Sequence, residues 1–361
     1  MKAWQLDGLG GPFRYTDLPI PEARPGSVVV RVEASSLMSY MQDYVDGKLS
    51  IYQAPRRPFV PGGNGVGTIH AVGEGVWHLQ PDQRVAISSH LVAQENVRGP
   101  AQILLGVTGQ GPIAAQMQDV WADGTLAEYA VLPASLVTPI DGLDEVGATV
   151  LAVSMRYLVP YGGLLRGRLA AGENVVISGA TGAYGSAAVF VALAMGAAQV
   201  AVLGRDPDKL AALSSLGGDR VTPVAVTGDP AKDAARVRAT LGGGVDLAFD
   251  MVGGASDPNM TLAALRSLVD GGRLVLMGSM TVPLPIPYTE TMLHSWEIIG
   301  NFMYPRDAYR RLLDLFRAGL LDPSVIEPRV YPLSELRDAM RAARTAGSLE
   351  CIVVDHTEIG P

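Results

Sequence analysis

Residues Ser178-Gly179-Ala180-Thr181-Gly182-Ala183-Tyr184-Gly185 follow a short apolar run (174–178) and lead into an apolar stretch with helical character (186–197). Glycines at this spacing have a mechanical use. One lets backbone amides come close to a phosphate, and another lets the helix pack tightly on the strand. The start of the helix adds free N–H groups and a positive dipole end, which together suit a pyrophosphate. The predicted chemistry is dinucleotide binding by Gly179, Ala180, Gly182, Ala183, Tyr184 and Gly185. A glycine-rich turn that merely packs a parallel sheet is spelled the same way, so context matters. Here a second strand-like run, 199–203, follows as a strand–turn–helix–strand unit requires.

The end of that second run bears on which dinucleotide binds. An acidic residue about twenty positions after the turn would hold the ribose 2′-hydroxyl of NAD. This chain has Gly204-Arg205 there, followed by Asp206-Pro207-Asp208-Lys209. A glycine beside an arginine leaves room and charge for a 2′-phosphate, and Lys209 would add a second positive contact. The expected cofactor is therefore NADP. In the alternative, Arg205 is a solvated surface charge and Asp206 takes the ribose. Two later strand ends, Met251-Val252 and Met277-Gly278, are expected to line the ribose–nicotinamide channel, because ligands bind outside the carboxyl ends of parallel strands. For the two methionines the competing reading is ordinary core filling.

These residues need a scaffold. The chain has 361 residues, and single cores stop growing at roughly 250–300 residues, so two domains are expected. Up to about residue 145 the pattern is β-rich: apolar runs at 27–32, 67–72, 84–87 and 126–131 lie between Gly, Pro and Asp turns, which predicts a folded-over, barrel-like sheet. Within it, residues 91–123 read as a long loop, either a surface excursion or subunit contact, or a lid on the substrate side. Residues 145–165 read as helix. Beyond them, strands at 174–178, 199–203, 220–226, 245–252 and 273–280 alternate with helices at 186–197, 207–216, 230–241 and 259–269. Apolar strands alternating with helices imply an α/β fold, a doubly wound parallel sheet covered on both faces. Helices at 306–318 and 333–343 and a strand at 350–354 close the chain.

The net charge is −8 and the isoelectric point about 5.2, with no basic run, so a nucleic-acid partner is not expected. The single cysteine, Cys351, rules out an internal disulfide and a thiolate-rich metal site. The amino terminus has no apolar signal-peptide core, and no apolar run of about 18 residues is evident, so neither export nor a membrane span is expected. The reading is a cytoplasmic protein that acts on a small molecule.

The whole chain resembles the medium-chain dehydrogenase/reductase superfamily. The resemblance rests on Pro61-Gly62-Gly63-Asn64-Gly65-Val66-Gly67-Thr68, Val72-Gly73-Glu74-Gly75-Val76, Asp82-Gln83-Arg84-Val85 and Gly124-Thr125-Leu126-Ala127-Glu128-Tyr129, taken with the order of domains. It implies a GroES-like β-rich catalytic domain at 1–150, completed by 303–361, and a Rossmann domain at 151–302. It also implies a homodimer, with the Pro-interrupted stretch 281–287 a candidate to extend a sheet between subunits.

This chain departs from the zinc-bearing members. Their first zinc ligand falls on Met38, the second on Gly63 with its glutamate neighbour on Asn64, and the third near Val153 or Ser154. A thioether and a glycine do not replace a thiolate and an imidazole on zinc. The five histidines show no ligand spacing, and no metal is expected. The four-cysteine lobe of many relatives would lie within 91–123, which has no cysteine. The resemblance is therefore to the zinc-free branch, which includes quinone oxidoreductases and enone reductases. Without a Lewis acid, acceptors that carry negative charge themselves are favoured, and hydrogen-bond donors meet the developing oxyanion. The candidate donors are Tyr40, Asn64 and Ser39, with Tyr44, Tyr157 and Ser154 less well placed. A metal-free alcohol dehydrogenase or carbonyl reductase is a second reading, since Tyr40 would serve it as proton donor. The third is a structural or sensory protein that binds NAD(P)H without turnover.

Overall fold

The computed structural model describes residues 1–357. They form two compact units, one made of Met1–Met155 with the chain from Pro323 onward, the other of Arg156–Asp322.

The first unit is organised by the strand Ser27–Ser36, whose valines are buried. Its first half pairs antiparallel with Tyr129–Pro133, its last residues pair with Glu350–Asp355, and Gly65–Val72 runs along much of its length. Register shifts at Val29/Val30 and Val32/Ala34 mark where the strand bends between partners. The resulting sheet has seven strands. The strand Glu350–Asp355 lies beside residues some three hundred positions earlier and joins this unit's sheet. A hairpin of Lys2–Leu6 with Phe13–Asp17, not anticipated from the sequence, seats Trp4 on Phe13; the Trp4 indole donates to the Leu333 carbonyl at 2.7 Å.

Residues 91–123 are not the expected loop. They contribute to a small antiparallel sheet, His90–Val92, Gln102–Leu104 and Thr108–Gly109, followed by the helix Pro112–Val120. Leu91, Ile103, Leu105 and Ala114 join Val85, Ile87 and Leu132 in one core cluster. The glycines that suggested a loop are turn points between short elements. Gly106, at φ +68°, has the carbonyl oxygen of Gly62 where a Cβ would stand, 2.0 Å away. Most of the segment packs as part of the first unit, while residues 94–99 are exposed and irregular, the part that fits a surface excursion.

The second unit holds six parallel strands in the spatial order 221–225, 199–204, 174–178, 245–250, 268–276 and 297–300. In chain order this is 3-2-1-4-5-6, the doubly wound Rossmann arrangement, whose switch point lies between the first and fourth strands. This confirms the α/β fold, with a β-rich GroES-like domain and a Rossmann domain. The dinucleotide unit extends well past residue 302. The helix Ala308–Arg317 buries Leu312, Leu313 and Phe316, and Phe316 meets the ring of Tyr157 edge-on. The amphipathic face of that helix belongs to the Rossmann core.

Residues 148–166 run as two consecutive helices, Ala148–Ala152 and Ser154–Arg166. By length and composition this stretch qualifies as a membrane span, contrary to the sequence reading, but 72% of its apolar window is buried inside the fold, as in a core helix.

Candidate cofactor and active sites

The glycine turn is built by steric need. Gly179 sits at φ +71°, a conformation that costs glycine little, and a Cβ there would come within 2.9 Å of the Met251 carbonyl. Gly185 is tighter still: its Cβ would lie 2.1 Å from the Gly179 oxygen. The turn therefore folds on itself over the start of the helix Ala183–Ala194. Gly182 is that helix's N-cap and supplies no capping side chain. The first N–H groups are left for a ligand. The residues present fit a dinucleotide pyrophosphate.

Asp250 ends the neighbouring strand and is 2% exposed. Its carboxylate accepts from the Ser178 hydroxyl at 2.6 Å and from the Thr261 hydroxyl at 2.7 Å. Burial raises its pKa, and these two donors with the Val252 amide oppose the rise. Asp250 thus ties the strand that leads into the turn to the helix Asn259–Arg266 and to the Met251-Val252 segment. Sequence reading missed it. The available signal was an acid closing an apolar strand in parallel register with Ser178.

At the end of the second strand, Gly204 is required by packing. A Cβ there would lie 2.8 Å from the Thr181 methyl. Asp206 caps the helix Pro207–Gly217, accepting from the amides of Asp208 and Lys209 at 3.1 and 3.2 Å. Both amides bond one carboxylate oxygen, Oδ1, while Oδ2 faces the Lys209 ammonium. Lys209 does not extend freely: its ammonium faces Asp206 at 3.8 Å. Arg205 is exposed and forms no ion pair among the described residues.

Of the channel candidates, Val252 is buried and Met251 half-buried. Gly278 lies against them, with the Val252 carbonyl oxygen 2.2 Å from where its Cβ would be. The sulfur of Met277 fills space beside Gly163 and lies 3.4 Å from the Asn301 amide nitrogen. That is a packing role, the competing reading for this methionine.

The candidate proton donors lie in the first unit. Tyr40 precedes the short helix Met41–Val45 and is half-buried; Ser39 is exposed. The Tyr40 side chain hydrogen-bonds Tyr52, with ring centroids 6.0 Å apart. Burial raises the Tyr52 pKa, and the Tyr40 hydrogen bond opposes the rise. Tyr52 is not singled out by the sequence, because it lies twelve positions from Tyr40, beyond a short helix and an irregular stretch. Tyr44 donates its hydroxyl to the Val107 carbonyl at 2.6 Å, and Tyr157 is fully buried in the second unit. Asn64 braces two segments: its Oδ1 accepts from the Ser36 amide at 3.0 Å and hydroxyl at 2.7 Å, and its Nδ2 donates to the Ser36 carbonyl at 3.1 Å. One Nδ2 hydrogen is left over for another acceptor.

The comparisons with known proteins agree with this architecture. Residues 24–142 match the family model "Alcohol dehydrogenase GroES-like domain", and 183–318 match "Zinc-binding dehydrogenase". An alcohol dehydrogenase of Moraxella sp. (strain TAE123) is 30% identical over 358 residues, covering 99% of this chain and 100% of the relative. Mouse sorbitol dehydrogenase is 25% identical, covering 95% and 93%. A crystal structure described as an NAD-dependent alcohol dehydrogenase superposes with a TM-score of 0.80 at 24% identity, covering 99% and 100%. The chain belongs to the medium-chain dehydrogenase/reductase family and is an oxidoreductase of that family.

The zinc implied by one family name does not suit the residues present. Met38 offers a thioether packed against the apolar core. At Gly63 an added Cβ would meet the Leu105 carbonyl oxygen at 2.4 Å and the Ser89 Cβ at 2.7 Å, so the backbone as folded has no room for an imidazole. Val153 and Ser154 are buried and bring neither thiolate nor imidazole. Among the described residues, no group of three or more His, Cys, Asp and Glu is placed to hold a metal.

Proposed function

We propose that this protein transfers hydride between NADPH and a quinone or α,β-unsaturated carbonyl, without zinc. The observation that carries the reading is the close packing around Gly63, the position on which the resemblance places the family's histidine ligand. The bound cofactor supplies the hydride. The protein's own groups hold the cofactor and supply protons. The turn at 179–185 binds the pyrophosphate, and Arg205 takes the 2′-phosphate, with Asp206 engaged as a cap. The Tyr40 hydroxyl, coupled to Tyr52, holds a proton for the substrate oxygen, and the free Nδ2 hydrogen of Asn64 stabilises developing negative charge there.

Metal-free alcohol or carbonyl redox chemistry is the second reading, favoured by the relatives' names as alcohol and sorbitol dehydrogenases. Turnover of an enone, a quinone and an aldehyde with NADPH separates the two, with metal analysis of the same preparation. Enone or quinone reduction with no stoichiometric zinc supports the first reading. Aldehyde reduction alone supports the second, and bound stoichiometric zinc overturns both.

The proposal extends to a cytoplasmic homodimer. The strand Glu297–Gly300 is one edge of the parallel sheet, and Ile286, Tyr288, Met292, Leu293 and Phe302 nearby in sequence are exposed apolar residues. Sedimentation velocity giving a monomer at micromolar concentration would contradict the dimer.

A further inference from the structure

Arg156 is the first residue of the second unit and is 5% exposed. Its Nη1 is buried without a hydrogen-bond partner. Among the described residues it forms no ion pair, although other arginines of this unit, such as Arg266 and Arg273, hold carboxylates. Its guanidinium lies 5.9 Å from the centroid of the Tyr184 ring. Tyr184 belongs to the first turn of the helix Ala183–Ala194, whose start lacks a side-chain cap. A buried cation without a counter-ion is costly to keep. Its position beside a bare helix N-terminus gives that cost a reason: both features favour an anion. Arginine, with its planar fork of donors, suits a phosphate especially well.

We infer that Arg156 is a counter-ion for the pyrophosphate of the bound dinucleotide, adding side-chain charge to a site otherwise made of backbone. The inference rests on the dinucleotide reading of the 179–185 turn. It adds a residue that the glycine pattern does not contain. The cation–π contact with Tyr184 holds the guanidinium at the helix start in the free protein. Ligand binding then completes an ion pair that the fold leaves open.

The test compares two probes on the full-length protein. ADP-ribose carries the pyrophosphate, and adenosine 2′-monophosphate carries adenine, ribose and 2′-phosphate without it. Calorimetric titration of Arg156→Met should show ADP-ribose bound at least about tenfold more weakly, with the 2′-monophosphate within about twofold of wild type. Arg156→Lys should fall between, retaining charge but not the fork. Without ligand, Arg156→Met should melt higher than wild type, because an unpaired buried charge is gone, and its melting-temperature gain from ADP-ribose should shrink. Unchanged ADP-ribose affinity in Arg156→Met, or equal weakening of both probes, would overturn the assignment. Failure of the wild type to bind ADP-ribose at all would remove the dinucleotide reading as well, a result distinct from either.

Discussion

The two candidate sites of this protein are built on different principles. In the Rossmann unit the candidate turn is backbone: Gly179 and Gly185 stand where a Cβ would strike main-chain atoms, and Gly182 starts a helix without a side-chain cap. In the β-rich unit the candidate chemistry rests on side chains, Tyr40 with Tyr52 and Asn64 with Ser36. A site of backbone tolerates almost no change at its glycines and reads clearly in sequence. A site of side chains can exchange its groups while the strands beneath stay the same. At position 63, where the resemblance places a metal ligand, this chain has a glycine packed against Leu105 and Ser89.

The largest effect is expected where backbone meets backbone. Gly185→Ala would force its methyl into the Gly179 carbonyl, and the turn would have to open. Cofactor affinity, followed by fluorescence titration, should fall by more than about a hundredfold, since roughly 2.7 kcal/mol of lost fit gives that factor. Near-normal affinity would break the comparison. On the other side, Tyr40→Phe keeps the ring and removes only the proton donor. It should lower kcat by about a hundredfold, the lower range for general acid catalysis, with cofactor affinity unchanged. An equal loss in both would mean that Tyr40 serves the fold.

Histidine supplies a third test, on the stability of the β-rich unit. His356 is buried between Ser35, whose Oγ lies 2.9 Å from its Nε2, and the Ala127 carbonyl, 3.0 Å from its Nδ1. Burial pushes its pKa down to about 4. The folded state therefore resists a proton that the unfolded chain accepts near pH 6.5. The stabilising difference is present above that value and is lost as pH falls from about 6.5 toward 4, up to about 3 kcal/mol. Asp250, with its raised pKa, acts in the opposite direction in acid. The contribution of His356 is therefore isolated by comparing denaturation of the wild type and His356→Gln at pH 7 and pH 4.5. The stability gap between them should narrow at the lower pH; a constant gap would contradict the assignment.

The sequence made the dinucleotide unit legible because its signals are local. Apolar strands, the glycine turn and the alternation with helices each lie within a short window, and boundaries moved by only a few residues, as for the helix expected at 186–197 and found at Ala183–Ala194. The β-rich unit was less legible because its meaning lies in distant pairings. The strand Ser27–Ser36 takes partners from three separate regions. Residues 91–123 looked like a loop because strands of two or three residues have no periodicity to read. Tyr52, Ser36 and Asp250 acquire roles only from neighbours that the fold brings to them.

The central claim is that the glycine turn binds a dinucleotide and that Arg205 selects its 2′-phosphate. Parallel fluorescence titrations with NADPH and NADH, on wild type and Arg205→Ala, test it directly. The account predicts NADPH bound about a hundredfold tighter by the wild type, roughly 2.7 kcal/mol, with the preference abolished by the substitution and NADH affinity unchanged. Equal or reversed preference in the wild type would contradict it and leave Arg205 a surface charge.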